Sequence, residues 1–398
     1  MSDHTAGLDW GAYHHSVCVI DARGNVRARF DVPHTYEGLE RLLRDLRHIS
    51  PPEDLPIAIE RPSGLLVDTL QEAGPPVVAI HPNVVKASRA RYRAAFSKSD
   101  AGGTLLLAEL LRTDAHRFTP LTPRSDPMRA VRALARARDD LVRHKVMLAN
   151  QLRAQLEHAW PGAAVLFTDL ASPIALAFLR RFPTLGSTRG LGPKRMAAFL
   201  ASHRYSGRRT PEELLERLRA APTPLIAERE TEASRAIVLA LVSTLEVLTR
   251  DLGTLTRNLE HASADTAIGQ LVMSLPRTGR INAALIVAEI GDDPNRYQTR
   301  DHPASEAGVA PVTHASGRSH AVVARYACNK RLKNALTTFA NNSRFEDPWA
   351  RGLYERARAR GHRHPHAVRI VARAWVRVLH ACWRDGTLYD PALMNPTG

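Results

Sequence analysis

The first 113 residues alternate short apolar runs with turn residues in an order that suits a layered α/β unit. Ala6-Gly7-Leu8-Asp9-Trp10 and Ser16-Val17-Cys18-Val19-Ile20 read as strands. Asp21-Ala22-Arg23-Gly24-Asn25 is turn chemistry, and Val26 to Val32 alternates apolar with polar side chains as a half-exposed strand does. A helix is expected over 35–48, where Leu39, Leu42, Leu43 and Leu46 fall at helical spacing. An apolar strand over 55–59, a helix over 63–73, a strand over 76–80 and a helix over 100–113 follow. Three antiparallel strands followed by alternating helices and strands predict an α/β domain over 1–122.

From Asp126 the period changes. Leu134, Leu141, Leu148, Leu152 and Leu156 recur at near-heptad intervals, and Ile237, Leu241, Leu245, Leu248, Leu252, Leu255 and Leu259 repeat the pattern further on. Two long helices flanking a helical insert over 173–220 suggest an antiparallel coiled-coil arm over 123–263, with two helices of a compact bundle as the alternative. A third, helix-rich unit is expected over 264–390. The fold class is therefore α/β plus α.

Charge limits the function classes. The 398 residues hold 55 Lys+Arg against 40 Asp+Glu, a net charge of +15. From Arg318 to Arg384 there are fifteen Lys/Arg and three acids, Glu346, Asp347 and Glu355. A second basic stretch, Lys86, Arg89, Arg91, Arg93 and Lys98, is read as a loop ending at Asp100. Solvated helix faces would account for either alone; two clusters beside candidate reaction centres favour phosphate contacts by Lys86, Arg89, Arg91, Arg93, Lys98, Arg318, Arg325, Lys330, Arg331 and Lys333. At 44% hydrophobic the chain is not disordered throughout, and no apolar run approaches the roughly 20 residues that cross a bilayer. Cys18, Cys328 and Cys382 lie far apart without a CxxC pair, and Met1 to Trp10 shows no signal pattern. A reducing, cytoplasmic home is expected, with no disulfide framework or cysteine-based zinc site. His362-Arg363-His364-Pro365-His366 lacks a second ligand cluster and reads as a solvated or phosphate-facing loop.

Three acids stand at places where charge is costly. Asp9 closes the first strand, Glu60 closes the next central strand, and Asp100 opens a helix. Each alone reads as a cap or turn residue; together they offer oxygen ligands for Mg²⁺ or Mn²⁺, which would activate water or a hydroxyl and stabilise the leaving oxygen of a phosphodiester. Gly190-Leu191-Gly192-Pro193 and Leu275-Pro276-Arg277-Thr278-Gly279 each precede a helix, and turns of that kind either grip a nucleic-acid backbone or merely join helices.

Gly7-Leu8-Asp9-Trp10, Ile59-Glu60-Arg61-Pro62-Ser63-Gly64, His81-Pro82-Asn83 and Lys98-Ser99-Asp100 resemble the N-terminal domain of DEDD insertion-sequence transposases. That group includes Piv-type DNA invertases and bridge-RNA-guided recombinases. The resemblance implies a ribonuclease H-like domain similar to the RuvC resolvase, with four acids binding Mg²⁺. Asp9, Glu60 and Asp100 match the first three. The fourth, three residues after the third on one helix face, is Gly103 here, and neither Glu109 nor Asp114 is an evident substitute.

Ala288-Glu289-Ile290-Gly291-Asp292, Gly308-Val309-Ala310-Pro311-Val312-Thr313, Ala315-Ser316-Gly317 and Cys328-Asn329-Lys330-Arg331-Leu332 resemble the second domain of the same family. The resemblance implies Ser316 as a nucleophile forming a phosphoserine link to DNA; such a hydroxyl needs a proton acceptor, for which His314 and His320 are candidates. The resemblance also implies DNA element ends and target as substrates, a structured noncoding guide RNA and a bacterial, nucleoid-associated setting. The chain would then work as a dimer or tetramer, the acids of one subunit meeting Ser316 of another. Two alternatives stay open: a junction nuclease using the acids alone, and a decayed copy that binds nucleic acid without cutting it.

Overall fold

The computed structural model describes residues 3–92, 100–317 and 319–394, apart from the side chains of 90–92, 100, 101, 319 and 394. Two compact units divide it, Met1–Pro123 and Arg124–Gly398.

In the first unit, β1 (His4–Trp10), β2 (His14–Asp21) and β3 (Val26–Pro33) form an antiparallel meander. The turn between β2 and β3 is built by Asp21, whose Oδ1 accepts the backbone N–H of Arg23 and Asn25, each at 2.9 Å, while Arg27 pairs with Oδ2. Burial pushes that carboxyl up, but the Asn25 and Arg23 donors and Arg27 outweigh it and hold it at about 2. Then α1 (Tyr36–Ile49), capped by Thr35, leads to β4 (Ile57–Ile59), α2 (Leu65–Ala73) and β5 (Val77–Ala79). The helix α4 (Asp100–Asp114) completes the unit. Sheet order is β3-β2-β1-β4-β5, with β4 parallel to β1 and β5 parallel to β4.

One correction concerns the segment read as a basic loop. Residues Pro82–Tyr92 form a helix, α3, so Lys86 and Arg89 are helical. Pro82 starts the helix, a place where its missing N–H costs nothing. The expectations for Arg91, for Arg93 and Lys98, and for the Asp100 side chain lie outside the described residues.

The two faces of the sheet are packed differently. Ala6 and Leu8 of β1 join Val17, Val19 and the leucines of α1 and α2 in one core. The opposite face meets α4, where Cys18 and Ile20 pack on Ala108, and Ala58 on Leu106 and Leu107. That approach depends on Gly7: a Cβ there would collide with the Thr104 carbonyl oxygen and lie 2.7 Å from the Ala108 amide nitrogen. Backbone cannot yield as a side chain can, so Gly7→Ala is expected to destabilise this unit by about 3 kcal/mol. Thermal unfolding of the variant against the parent measures it, and an unchanged midpoint would mean the helix is free to retreat.

In the second unit, α5 (Asp126–Ala159) and α10 (Glu228–Ala264) pack together. Their pairs run in opposite senses, Arg138 with Thr256, Gln155 with Ser234 and His158 with Glu230, so the helices are antiparallel. Between them in sequence lie α6 (Pro161–Leu166), α7 (Pro173–Arg181), α8 (Pro193–Ser202) and α9 (Pro211–Ala220), which share a core with Leu152, Leu156 and Leu245. A second core forms around α11 (Ala267–Met273), α12 (Arg280–Ile290), α13 (Asp301–Glu306), α14 (Lys330–Ser343), α15 (Pro348–Ala359) and α16 (His364–Asp385), with Trp375 fully buried. The stretch His362-Arg363-His364-Pro365-His366 turns directly into α16. An element absent from the expectations interrupts this helical region: β6 (Val312–Ser316) and β7 (Ser319–Val323) form a hairpin. No helix among the described residues is long and apolar enough to cross a membrane.

Candidate functional site

The acids of the first unit are placed by strand register. Leu8 pairs with Ile59 across the parallel β1 and β4, so Asp9 and Glu60 each follow one residue later at neighbouring strand ends. Side chains alternate along a strand. Gly7 faces α4, which puts Asp9, two residues further along β1, on that same face, while Glu60 stands just past the end of β4. Asp9 Oδ2 does lie against the helix: it is 3.9 Å from where a Cβ on Gly103 would stand. No other described atom crowds that point. The structure thus brings Asp9 together with position 103, at the helix whose first residue is Asp100.

A polar row extends along the strands. Asp9 pairs in register with Ser16 of β2, whose hydroxyl donates to Asp31 of β3 at 2.6 Å. Sequence reasoning missed both; the signal was the polar member of each alternating pair. On the residues just beyond the acids, the Arg61 guanidinium lies 4.2 Å over the Trp10 ring and ties the two strand ends together. Beside Trp10, the buried His15 shares a 2.8 Å hydrogen bond with His34, and burial and the charges of His34 and His14 push its pKa down. Glu109 is held by Arg112 at 2.6 Å, so it is committed elsewhere. Among the described residues, no three His, Cys, Asp or Glu side chains form a metal-holding group. The Asp9 and Glu60 carboxylates are the oxygen donors a hard cation takes, and glycine at 103 adds no side-chain donor.

Ser316 ends β6, pairs with Ser319 across the hairpin turn and is exposed to solvent. Gly317, at the first turn position, has φ +54°, the left-handed region that tight hairpin turns require and glycine enters freely. His314 is two residues before Ser316 and shares its face of the ribbon; His320 pairs with Ala315 on the other. The two candidate proton carriers are thereby distinguished. Arg318 lies outside the described residues.

The feet of the hairpin are locked by a buried polar network. Glu289, 3% exposed, accepts two hydrogen bonds from Arg136 at 3.3 Å and one from Asn329 Nδ2 at 2.8 Å. The Asn329 backbone N–H donates to the Glu306 carbonyl at 2.7 Å, and its side-chain oxygen caps α14 at Leu332. Arg296 bridges to both Glu306 oxygens and to the Glu289 and Ile290 carbonyls. Tyr297 donates to Glu306 at 2.7 Å, and burial together with that carboxylate pushes its phenol up. Two of the sequence motifs, around Glu289 and around Asn329, meet here. Removing Glu289 takes the acceptor from the Asn329 amide and from an Arg136 guanidinium that still reaches solvent, so Glu289→Ala is expected to cost about 1–3 kcal/mol. Denaturant unfolding is the measure, and a loss below the level of a surface substitution would refute the network's role.

The basic candidates differ in availability. Lys330 is exposed. Arg331 bonds Asp139 at 2.8 Å and Asp140 at 2.9 Å; burial opposes its charge, yet those carboxylates raise its pKa. Lys333 donates to the Arg325 carbonyl at 3.4 Å. Arg331 therefore fixes α14 to α5, a role its sequence position did not disclose.

Comparison with known proteins converges on one group. A family model described as Transposase, of the DEDD IS110 type, matches residues 6–161. A second, described as Transposase IS116/IS110/IS902 family, matches 269–355. The chain is 33% identical to the mini-circle putative transposase for IS117 of Streptomyces coelicolor, over 96% of this chain and 94% of that one. It is 28% identical to the insertion element IS900 uncharacterized 42 kDa protein of Mycobacterium paratuberculosis, over 97% of each. It is 26% identical to the insertion element IS116 uncharacterized 44.8 kDa protein of Streptomyces clavuligerus, over 97% of this chain and 96% of that one.

Proposed function

The chain belongs to the IS116/IS110/IS902 family of insertion-sequence transposases, and from that premise we propose that it exchanges DNA strands through a phosphoserine intermediate at Ser316. The observation that carries this reading is the presentation of Ser316 at a solvent-exposed hairpin tip on a rigidly anchored base. In the first step the Ser316 hydroxyl oxygen bonds to phosphorus and the P–O bond to one deoxyribose oxygen breaks. His314, on the same face, takes the serine proton, and a proton returns to the leaving oxygen. Attack by another strand's hydroxyl reverses the sequence and frees Ser316 without an external energy source. Lys330 and Arg325 place positive charge near the transferring phosphate.

The N-terminal sheet order, with β1 flanked by β2 and β4 and the acids at strand ends beside α4, supports a ribonuclease H-like, RuvC-like reading of that unit. Asp9, Glu60 and Asp100 would hold a divalent ion there, Mg²⁺ or Mn²⁺, which supplies Lewis-acid polarisation of the phosphodiester. The packing of α5 on α10 supports the coiled-coil arm. From the family resemblance, a structured noncoding RNA guides the choice of DNA, and the chain works as a dimer or tetramer.

The test incubates the protein with DNA carrying the element's ends and divalent ion, then denatures it and maps any covalent DNA–peptide adduct. A DNA-linked Ser316 is expected. Strand breaks with no adduct would replace this mechanism with the hydrolytic one, and no breaks at any ion concentration would favour a non-cutting nucleic-acid binder.

A further inference from the structure

The insert between α5 and α10 carries a charge feature that the strand-exchange chemistry does not use. From Arg180 to Arg209 there are eight Lys/Arg and no Asp or Glu. All eight are exposed. Arg180 is paired with Glu246 at 2.9 Å, which leaves seven exposed cations in a stretch of sequence that holds no acid.

A cleft opens beside them. It measures about 450 Å³ and is lined by Trp160, Thr188, Gly190, Gly192 and Arg219 among others. A neighbouring cleft of about 490 Å³ shares Trp160 and Thr188 and adds Arg189. The amino end of α8 reaches the first cleft: its cap is Gly192, which has no side chain to accept the first-turn amides. Arg195 donates to the Gly190 carbonyl at 3.1 Å and holds the loop in place. Trp160, on the wall of both clefts, is 2% exposed, and its indole N–H has no hydrogen-bond partner among the described residues. An open helix amino terminus, a donor without an acceptor, and Arg189, Lys194 and Arg195 on and beside the loop share one chemistry, that of a bound anion.

We propose that this insert is a second nucleic-acid-binding surface, in which the Gly190–Gly192 loop and the amino end of α8 take a backbone phosphodiester while Arg189, Lys194 and Arg195 meet its neighbours. It rests on the reading of the chain as a nucleic-acid enzyme, and deepens that reading by adding a grip remote in sequence from Ser316. The contact is to phosphate, so it carries no base specificity. DNA and RNA offer the same group.

The decisive variant is Gly192→Asp. A Cβ at that position meets nothing within 4 Å, and the backbone there is extended, so aspartate fits. Its carboxylate caps α8 and leaves the unfolding midpoint equal or higher, while it occupies the phosphate position. Full-length Gly192→Asp, and separately Arg189→Ala/Lys194→Ala/Arg195→Ala, are titrated against a DNA duplex and an RNA hairpin of unrelated sequence at several salt concentrations. Each variant is expected to bind at least one probe about tenfold more weakly, and the triple variant's salt dependence on duplex DNA falls by about 2.7 log units per log unit, three lost contacts. The probe that loses affinity identifies the source of the phosphate. A paired control, Arg44→Ala/Arg47→Ala on the exposed face of α1, removes charge elsewhere. Unchanged binding of both probes by Gly192→Asp, or an equal loss per charge in the control, overturns the proposal. Adduct formation at Ser316 is scored separately, so failure of the grip and failure of strand exchange are told apart.

Discussion

Ser316→Ala is expected to abolish the protein–DNA adduct and to lower strand exchange on the order of 10⁴-fold or more, because it deletes the attacking atom of a covalent route. The same change leaves folding and binding intact. Ser316 is exposed at the end of β6, so the lost hydroxyl takes no packing with it, and such surface substitutions stay within about 0.5 kcal/mol. The hairpin turn depends on Gly317 and the footing on Glu289 and Asn329, none of which is touched. The readouts are adduct yield, strand exchange and DNA affinity on one preparation. Normal cutting by Ser316→Ala would move the chemistry to the acids of the first unit.

Gly103→Asp is expected to strengthen divalent-cation binding at the proposed acidic site. The new Cβ would lie 3.9 Å from Asp9 Oδ2 and strike nothing described, so the carboxylate is delivered beside Asp9 without rearranging α4. Replacing a glycine in the first helical turn also removes a backbone-entropy cost of about 0.5 kcal/mol, and an acid there suits the helix dipole. Without divalent ion, repulsion from Asp9 offsets those gains and the unfolding midpoint stays near the parent's. With Mg²⁺ the midpoint rises, and metal affinity and strand exchange increase on the order of 10- to 100-fold, the size of effect single supporting carboxylates have at metal sites. Thermal unfolding in chelator and across a Mg²⁺ titration separates the two states. An identical Mg²⁺ response in parent and variant would show that position 103 is not where a ligand is wanted.

The register of β1 against β4 sets Asp9 and Glu60 at neighbouring strand ends, and the sequence alone marks both as residues that close apolar strands. An apolar strand ending in a carboxylate advertises both its burial and its exit, and Asp9 and Glu60 do so in the same way. Period-2 and period-3.6 patterns likewise mark β3, α1, α5 and α10, where one face is buried and the other wet, while β1 and β2, covered on both faces, show as short apolar runs. The helix Pro82–Tyr92 was hidden because its arginines and lysine mimic a solvated loop, and a short exposed helix needs no apolar stripe. The β6–β7 hairpin was hidden for a related reason. Its two five-residue strands are largely exposed and pair with each other, so neither shows a buried alternation.

What the residues alone determined is local: which segments are strand or helix, where carboxylates end apolar strands, and where positive charge accumulates. Which groups meet was decided by folding. Arg331 reads as a phosphate ligand in sequence, yet Asp139 and Asp140 are more than 190 positions away and neutralise it in space. Glu289 stands in sequence as one acid among apolar residues, and only the arrival of Arg136 and Asn329 makes it a junction between α5, α12 and the start of α14. The reason is that secondary structure depends on neighbours a few positions apart. The worth of a charge depends on what surrounds it after burial, and that is a property of distant segments brought into contact.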